Sequence, residues 1–273
     1  MANQKTAENI PPIGLKEDEN MKKWVAILMV LCLANALGFA CAAETPVSIT
    51  FSDSGAQCAD KAVLVEANTV SIKAPGVYQL IGAWSDGQVI VDSENEGDVM
   101  LILNGVTIHC ERSAAIFVKQ CASDVVLMLA DGTVNALSGG AEYDLDAEDE
   151  PNAVLFSRDD LEIDGNGKLT VTAPFMDGIV SKDDLLFENG DFVIDAARNG
   201  IRGKDSVEIH GGTFVINAGN DGIKSTNAKE PSRGYVAISG GDITITCVDD
   251  PLSAVTKLSI TGGTVNATLV AEN

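Results

Sequence analysis

Acidic residues recur at a fixed interval in the middle of this 273-residue chain. Asp177, Asn199 and Asp221 follow one another at steps of 22, and each precedes a glycine. A second series trails them: Asp159 with Asp160, Asp183 with Asp184, then Asp205 and Asn227. If the intervening segments stack, equivalent positions lie about 4.8 Å apart and both series become columns. Asp250 would extend the first column. Bare carboxylates at that spacing repel, and a bound cation relieves the repulsion. Calcium suits such a column because it takes six to eight oxygens at about 2.3–2.6 Å, turn carbonyls and waters included. Magnesium demands a tighter octahedral shell and suits it less. Two alternatives need no metal. Arg158, Lys182 and Lys204 each precede an aspartate of the second column, which would make a ladder of weak surface ion pairs. The Asp-Gly pairs also fit ordinary turn chemistry.

What must position these residues is a repeat. Residues 177–198, DGIVSKDDLLFENGDFVIDAAR, are followed directly by NGIRGKDSVEIHGGTFVINAGN, and a third copy opens at Asp221. Each copy holds three short stretches of period two, the signature of strands. In the first copy they are 179–181, 185–187 and 192–196; in the second, 201–203, 207–209 and 214–218. Glycines at 190, 211–212, 240–241 and 262–263 punctuate the later strands. Related stretches at 155–173, 236–247 and 252–267, and looser ones at 88–135, extend the stack both ways. A repeat of this length with three strands and no helical period predicts an all-β parallel β-helix, a solenoid of about three strands per coil of roughly 22 residues. A propeller would need longer blades. Residues 44–87 are expected to start and cap the stack, and 88–273 to form it. The acidic insert 138–152 is predicted to protrude from one corner, as is the shorter insert 227–234.

The ends and composition bound the function. Net charge is -22, and residues 1–43 hold four basic and four acidic residues, so the excess lies downstream. That excludes nucleic acid and anionic membrane surfaces as partners. Met21-Lys22-Lys23, the apolar run 24–39 and the small residues 40–43 read as a signal peptide over 21–43, with 1–20 an upstream extension. A secreted or cell-surface protein without a membrane anchor is expected; an uncleaved N-terminal anchor is the alternative. A lipidated Cys41 is weakly signalled, since Gly38 stands where Leu is preferred. Of the cysteines beyond that segment, Cys58, Cys110, Cys121 and Cys247, the first two candidates for a disulfide are Cys110 and Cys121, with buried thiols the alternative. Their spacing suggests no zinc site.

At DEPNAVLFSRDDL, MDGIVSKDDL, NGIRGKDSV, NDGIKSTN and LNGVTI the chain resembles a bacterial family of secreted carbohydrate-binding domains, over about residues 88–270. The resemblance implies a right-handed parallel β-helix similar to calcium-dependent pectate lyases. It also implies extracellular binding of plant-type polysaccharide, either cellulose or acidic pectic chains. Carried over, the calcium-holding positions would be Asp159, Asp160, Asp177, Asp183, Asp184, Asp205 and Asp221; Asn199 completes the first column. The related lyases carry a further acid three residues after the Asp of their Asp-Gly motif. Here those positions are Val180, Arg202 and Lys224, a departure that weighs against a catalytic calcium.

A non-catalytic, calcium-stabilised polysaccharide binder is therefore the first expectation. Against it, Trp84 is the only tryptophan beyond the signal segment, which leaves little for an aromatic platform. A polysaccharide lyase is the alternative, with Arg202, Lys204 or Lys224 as base. A structural surface protein or adhesin fits the repeat equally well. His109 and His210 show no Ser or Cys partner in the sequence and are expected in surface or turn roles. No polar cap closes the stack near Asn273, so end-to-end self-association is a further expectation.

Overall fold

The structure is a computed structural model, and it describes residues 45–271 apart from 147 and 149. The signal-peptide and upstream-extension readings fall on residues 1–44, outside the described residues. Residues 46 onward form one compact unit. The described residues contain 25 strands and no helix.

Nearly all strands pair in parallel, and they build three long ladders. The first runs through Gln88–Ser93, Ile116–Cys121, Ala153–Ser157, Asp177–Ser181, Ile201–Gly203, Ile223–Ser225 and Leu252–Ser253. The second runs through Val125–Leu129, Leu161–Gly165, Asp184–Phe187, Ser206–Ile209, Tyr235–Ile238 and Lys257–Ile260. The third runs through Val134–Gly139, Lys168–Ala173, Asp191–Ala196, Thr213–Ala218, Asp242–Cys247 and Thr264–Leu269. One long strand, Val99–Cys110, serves two ladders: Val99–Leu103 pairs with the second and Thr107–Cys110 with the third. This all-β arrangement of parallel strands in large sheets is consistent with a β-solenoid.

The repeat sets the register. Ile179 lies opposite Ile201 and Ile201 opposite Ile223, while Phe192 lies opposite Phe214. Because side chains alternate across a strand, this register sends one apolar row inward at every rung. Ile179, Ile201, Ile223, Phe192, Ile194, Phe214 and Ile216 are all fully buried. Phe192 and Phe214 stack with centroids 4.7 Å apart, and Phe187 meets both edge-on at 5.2 and 5.3 Å. Such offset and edge-to-face contacts add to plain area burial.

The glycines of the Asp-Gly and Asn-Gly pairs answer to packing. A Cβ on Gly200 would lie 2.4 Å from Ile216 Cγ2 and 2.7 Å from Gly222 O, and Gly178 and Gly222 are crowded in the same way. The turn explanation of these pairs is thus replaced by close approach of successive rungs.

Residues 46–84 begin the stack. Val47–Ser52 pairs in parallel with Gly76–Trp84, which pairs in parallel with Val99–Cys110. The hairpin of Val63–Glu66 with Thr69–Ile72 is antiparallel, and its second strand joins the first ladder. Two expectations change. Cys110 and Cys121 are free, as are Cys58 and Cys247. Cys110 and Cys121 end strands of different ladders, where burial pushes both thiols up, and they pack as small apolar groups. The insert 138–152 folds back in part, with Glu142 and Asp144 left exposed. Tyr143 and Glu150 are buried, and Asp144 N–H donates to Arg112 O at 2.7 Å.

Candidate functional site

The two acidic columns are in place but differ in what surrounds them. The first is buried at Asp177, Asn199 and Asp221, and exposed at Asp250. Asp177 Oδ1 accepts the Asn199 backbone N–H at 3.0 Å and its side-chain amide at 2.9 Å. Asn199 Oδ1 accepts the Asp221 N–H at 3.3 Å, and Asp221 Oδ1 accepts the Asp250 N–H at 3.1 Å. Each side chain thereby caps the turn of the next rung. The remaining carboxylate oxygens meet side-chain cations: Arg202 Nε donates to Asp177 Oδ2 at 2.6 Å, and Lys224 Nζ pairs with Asp221 Oδ2. Arg202 also donates to Asn152 Oδ1 at 2.8 Å. A calcium ion at Asp177 would have to evict Arg202 from a buried, hydrogen-bonded carboxylate, so that rung does not fit the metal as it stands. At the other end of the column Lys224 is more open, and carboxylate oxygens of Asp221, Asp249 and Asp250 lie within 4.8 Å of one another.

Val180, Arg202 and Lys224 occupy one register row of the first ladder. The position that carries an acidic ligand in the lyases thus carries, in two successive rungs here, the counter-ion itself.

The second column is more open. Asp159, the column's first member, is turned away, accepting the Cys121 N–H at 2.6 Å. Carboxylate oxygens of Asp160, Asp183 and Asp184 lie within 4.8 Å of one another. Asp160 Oδ1 accepts the Asp184 N–H at 2.9 Å, and Asp184 Oδ1 accepts the Ser206 hydroxyl at 2.7 Å. Asp205, buried beneath them, accepts Asn227 Nδ2 at 2.6 Å. Burial and a hydrogen bond with Asp205 push the Asp183 carboxyl up to about 7, helped by the charges of Asp160, Asp205 and Asp184. Burial works upward on Asp205 too, but the hydrogen bonds from Asp183 and Asn227 and the charges of Lys204 and Arg233 outweigh it and hold Asp205 low. Clustered, hard, partly exposed oxygens of this kind fit calcium.

Arg233 was missed by sequence reasoning. It stands on the 227–234 insert and lies over the second column, 3.1 Å from Asp183 Oδ1, 3.7 Å from Asp184 Oδ2 and in contact with Asp205 Oδ2. Fifty residues separate Arg233 from Asp183, and only the insert's path brings them together.

Beside this cluster opens a cleft of about 410 Å³, lined by Glu148, Glu150, Arg158, Lys182, Asp183 and Lys204. The basic residues do not pair as their sequence neighbours suggested. Arg158 Nε donates to Glu150 Oε2 at 3.0 Å, and Lys182 pairs with the other oxygen of the same buried carboxylate. Only Lys204 keeps a contact with its neighbour, 3.6 Å from Asp205 Oδ1. Glu150 was not foreseen either, since its partners reach it only when the insert folds back.

Both histidines have partners that the sequence did not announce. His210 bridges Glu188 at 3.1 Å and Glu208 at 3.5 Å, and the Tyr235 hydroxyl donates to Glu208 at 2.6 Å. His109 Nδ1 lies 2.9 Å from Ser138 Oγ and its Nε2 lies 3.0 Å from Glu111. The amides of Gly140 and Gly87 beside it donate to the ladder carbonyls of Cys110 and His109, which leaves them unable to serve an oxyanion. Trp84 is buried and stacked on Phe51 at 5.0 Å, so it offers no sugar platform.

Comparison with known proteins adds a family to this geometry. A protein from Acetivibrio thermocellus described as a carbohydrate-binding domain-containing protein is 42% identical over 134 residues. That match spans 48% of this chain and 46% of the relative. A solved structure described as the polysaccharide lyase-like protein from C. thermocellum, a gadolinium derivative, superposes with a TM-score of 0.73 and 37% identity. The superposition covers 84% of this chain and 96% of that one. A family model matches residues 66–273, nearly all of the ladders and both acidic columns, and the chain belongs to the family of carbohydrate-binding domain-containing proteins.

Proposed function

We propose that this protein is a secreted, non-catalytic module that binds acidic plant-type polysaccharide with the help of calcium. The carrying observation is that Asp183 belongs both to the carboxylate cluster with Asp160 and Asp184 and to the cleft lined by Arg158, Lys182 and Lys204. A uronate carboxylate entering the cleft would meet the lysines directly and could complete the shell of a calcium held by the three aspartates. This reading favours pectic chains over cellulose, because no aromatic side chain among the described residues is exposed for stacking on neutral sugar rings. It favours binding over lyase chemistry, because two of the basic residues that could have served as base, Arg202 and Lys224, are held in ion pairs with Asp177 and Asp221. The scaffold in this proposal is a right-handed parallel β-helix of the pectate lyase type, and segment 21–43 directs its export.

Lys204 provides the test, since it is exposed at the cleft and its replacement leaves the buried Glu150 pairs intact. Lys204→Glu is expected to weaken binding of an oligogalacturonate by about tenfold, and not to change binding of neutral cello-oligosaccharides. Unchanged oligogalacturonate affinity, measured by calorimetry, would remove the cleft from the binding site.

A further inference from the structure

We infer that Arg233 is a tethered cation that holds the place of a divalent ion over Asp183, Asp184 and Asp205, and so sets the concentration at which calcium enters. The inference rests on the calcium reading above and concerns the regulation of that same cluster.

The insert that carries Arg233 is held at both ends. Asn227 Oδ1 accepts the N–H groups of Lys229 at 2.8 Å and Glu230 at 3.2 Å, a side-chain-capped turn. Arg233 N–H donates to Glu230 O at 3.0 Å, and Gly234 N–H donates to Asp205 O at 2.6 Å. Thr256 from the next rung donates its hydroxyl to Arg233 O at 2.5 Å. Gly234 has φ of 73°, and a Cβ there would lie 2.2 Å from Asn227 O, so the turn requires glycine. The backbone is therefore fixed where its guanidinium reaches three aspartates, with Nε 3.4 Å from Glu230 Oε2.

Two features make this cation exchangeable where Arg202 is not. The Arg233 side chain is 38% exposed and that of Arg202 16%, so Arg233 can swing into water while breaking fewer packed contacts. Arg233 and Lys204 bring two positive charges to a cluster that includes Asp160, Asp183, Asp184 and Asp205, so the cluster stays under-neutralised. A guanidinium and a calcium ion cannot share these oxygens, because like charges repel at such distances. Their binding is then linked: whatever removes the guanidinium strengthens the ion.

The test is calorimetric titration of the full chain with calcium chloride, comparing wild type, Arg233→Gln, Arg233→Lys and Arg112→Gln. The last removes the same charge from a distant pair with Glu142 and Asp144. Arg233→Gln is expected to bind calcium about tenfold tighter than wild type, Arg233→Lys to fall between them, and Arg112→Gln to match wild type. If wild type binds calcium and Arg233→Gln binds it equally or more weakly, or only as well as Arg112→Gln, the gating role is overturned and the calcium reading stands. If neither wild type nor Arg233→Gln binds calcium while circular dichroism shows both folded, the calcium reading itself falls, and the gate with it.

Discussion

Arg202 Nε lies 2.6 Å from Asp177 Oδ2, across a boundary between rungs and almost out of reach of water. The contact joins a column of caps to a cation from the next repeat. A buried pair of this kind contributes little net stability compared with an apolar pair of the same shape, but its half-removal is costly. Arg202→Ala is therefore expected to destabilise the fold by about 3 kcal/mol or more in urea denaturation. Asp177→Ala combined with Arg202→Val should recover part of that loss, because Val already stands at the equivalent position 180. Additive losses in the double variant would mean that Asp177 matters as a cap and not as a partner.

Gly200 is predicted to resist the mildest substitution available. Gly200→Ala forces a methyl against Ile216 and the Gly222 carbonyl, and should cost about 1–3 kcal/mol by overpacking. An exposed Gly with an open surrounding, such as Gly132, has nothing within 4 Å of a would-be Cβ, but its φ of 69° makes Ala strained there too. The informative contrast is thus in kind: Gly200→Ala should loosen the rung stack, seen as faster amide exchange at Ile179, Ile201 and Ile223, whereas Gly132→Ala should act only locally.

Glu162 predicts a pH response. Burial pushes its carboxyl up to about 7, with Glu188, Asp164 and Asp124 adding to the effect and His210 opposing it. A raised value means the folded chain keeps a proton that the unfolded chain has released. The stabilisation from this group is fully present below the ordinary glutamate range and is lost as pH rises through about 7. Melting temperature in chelator should fall between about pH 5 and about pH 8, and Glu162→Gln should make that fall shallower. A fall of the same depth in Glu162→Gln would assign the response to other groups.

How much of this was legible in the sequence follows from distance along the chain. The repeat pairs residues one rung apart, so the alignments of Ile179 with Ile201 and Phe192 with Phe214 could be read directly, as could the stacking of Asp177, Asn199 and Asp221. Alternation then assigned the buried face. What could not be read are contacts made by the inserts, where no repeat supplies a register. Glu150 folds back onto Arg158 and Lys182, and Arg233 reaches Asp183 across the surface. Charge near charge in sequence misled at Arg158 and Lys182, whose long side chains cross to a buried carboxylate and leave the adjacent aspartates alone. Arg202 was visible as a departure from the lyase pattern; its role as counter-ion needed the geometry.

The most direct test of calcium-assisted binding of an acidic polysaccharide is retention of the full chain on pectic gel and on insoluble cellulose, each with calcium and with chelator. The account predicts retention on pectic gel in calcium, release by chelator, and loss of retention in Asp183→Ala combined with Asp184→Ala. Retention that ignores chelator, or passage through the pectic gel under both conditions, would contradict it; passage through both matrices would leave a structural or adhesive role for the ladders.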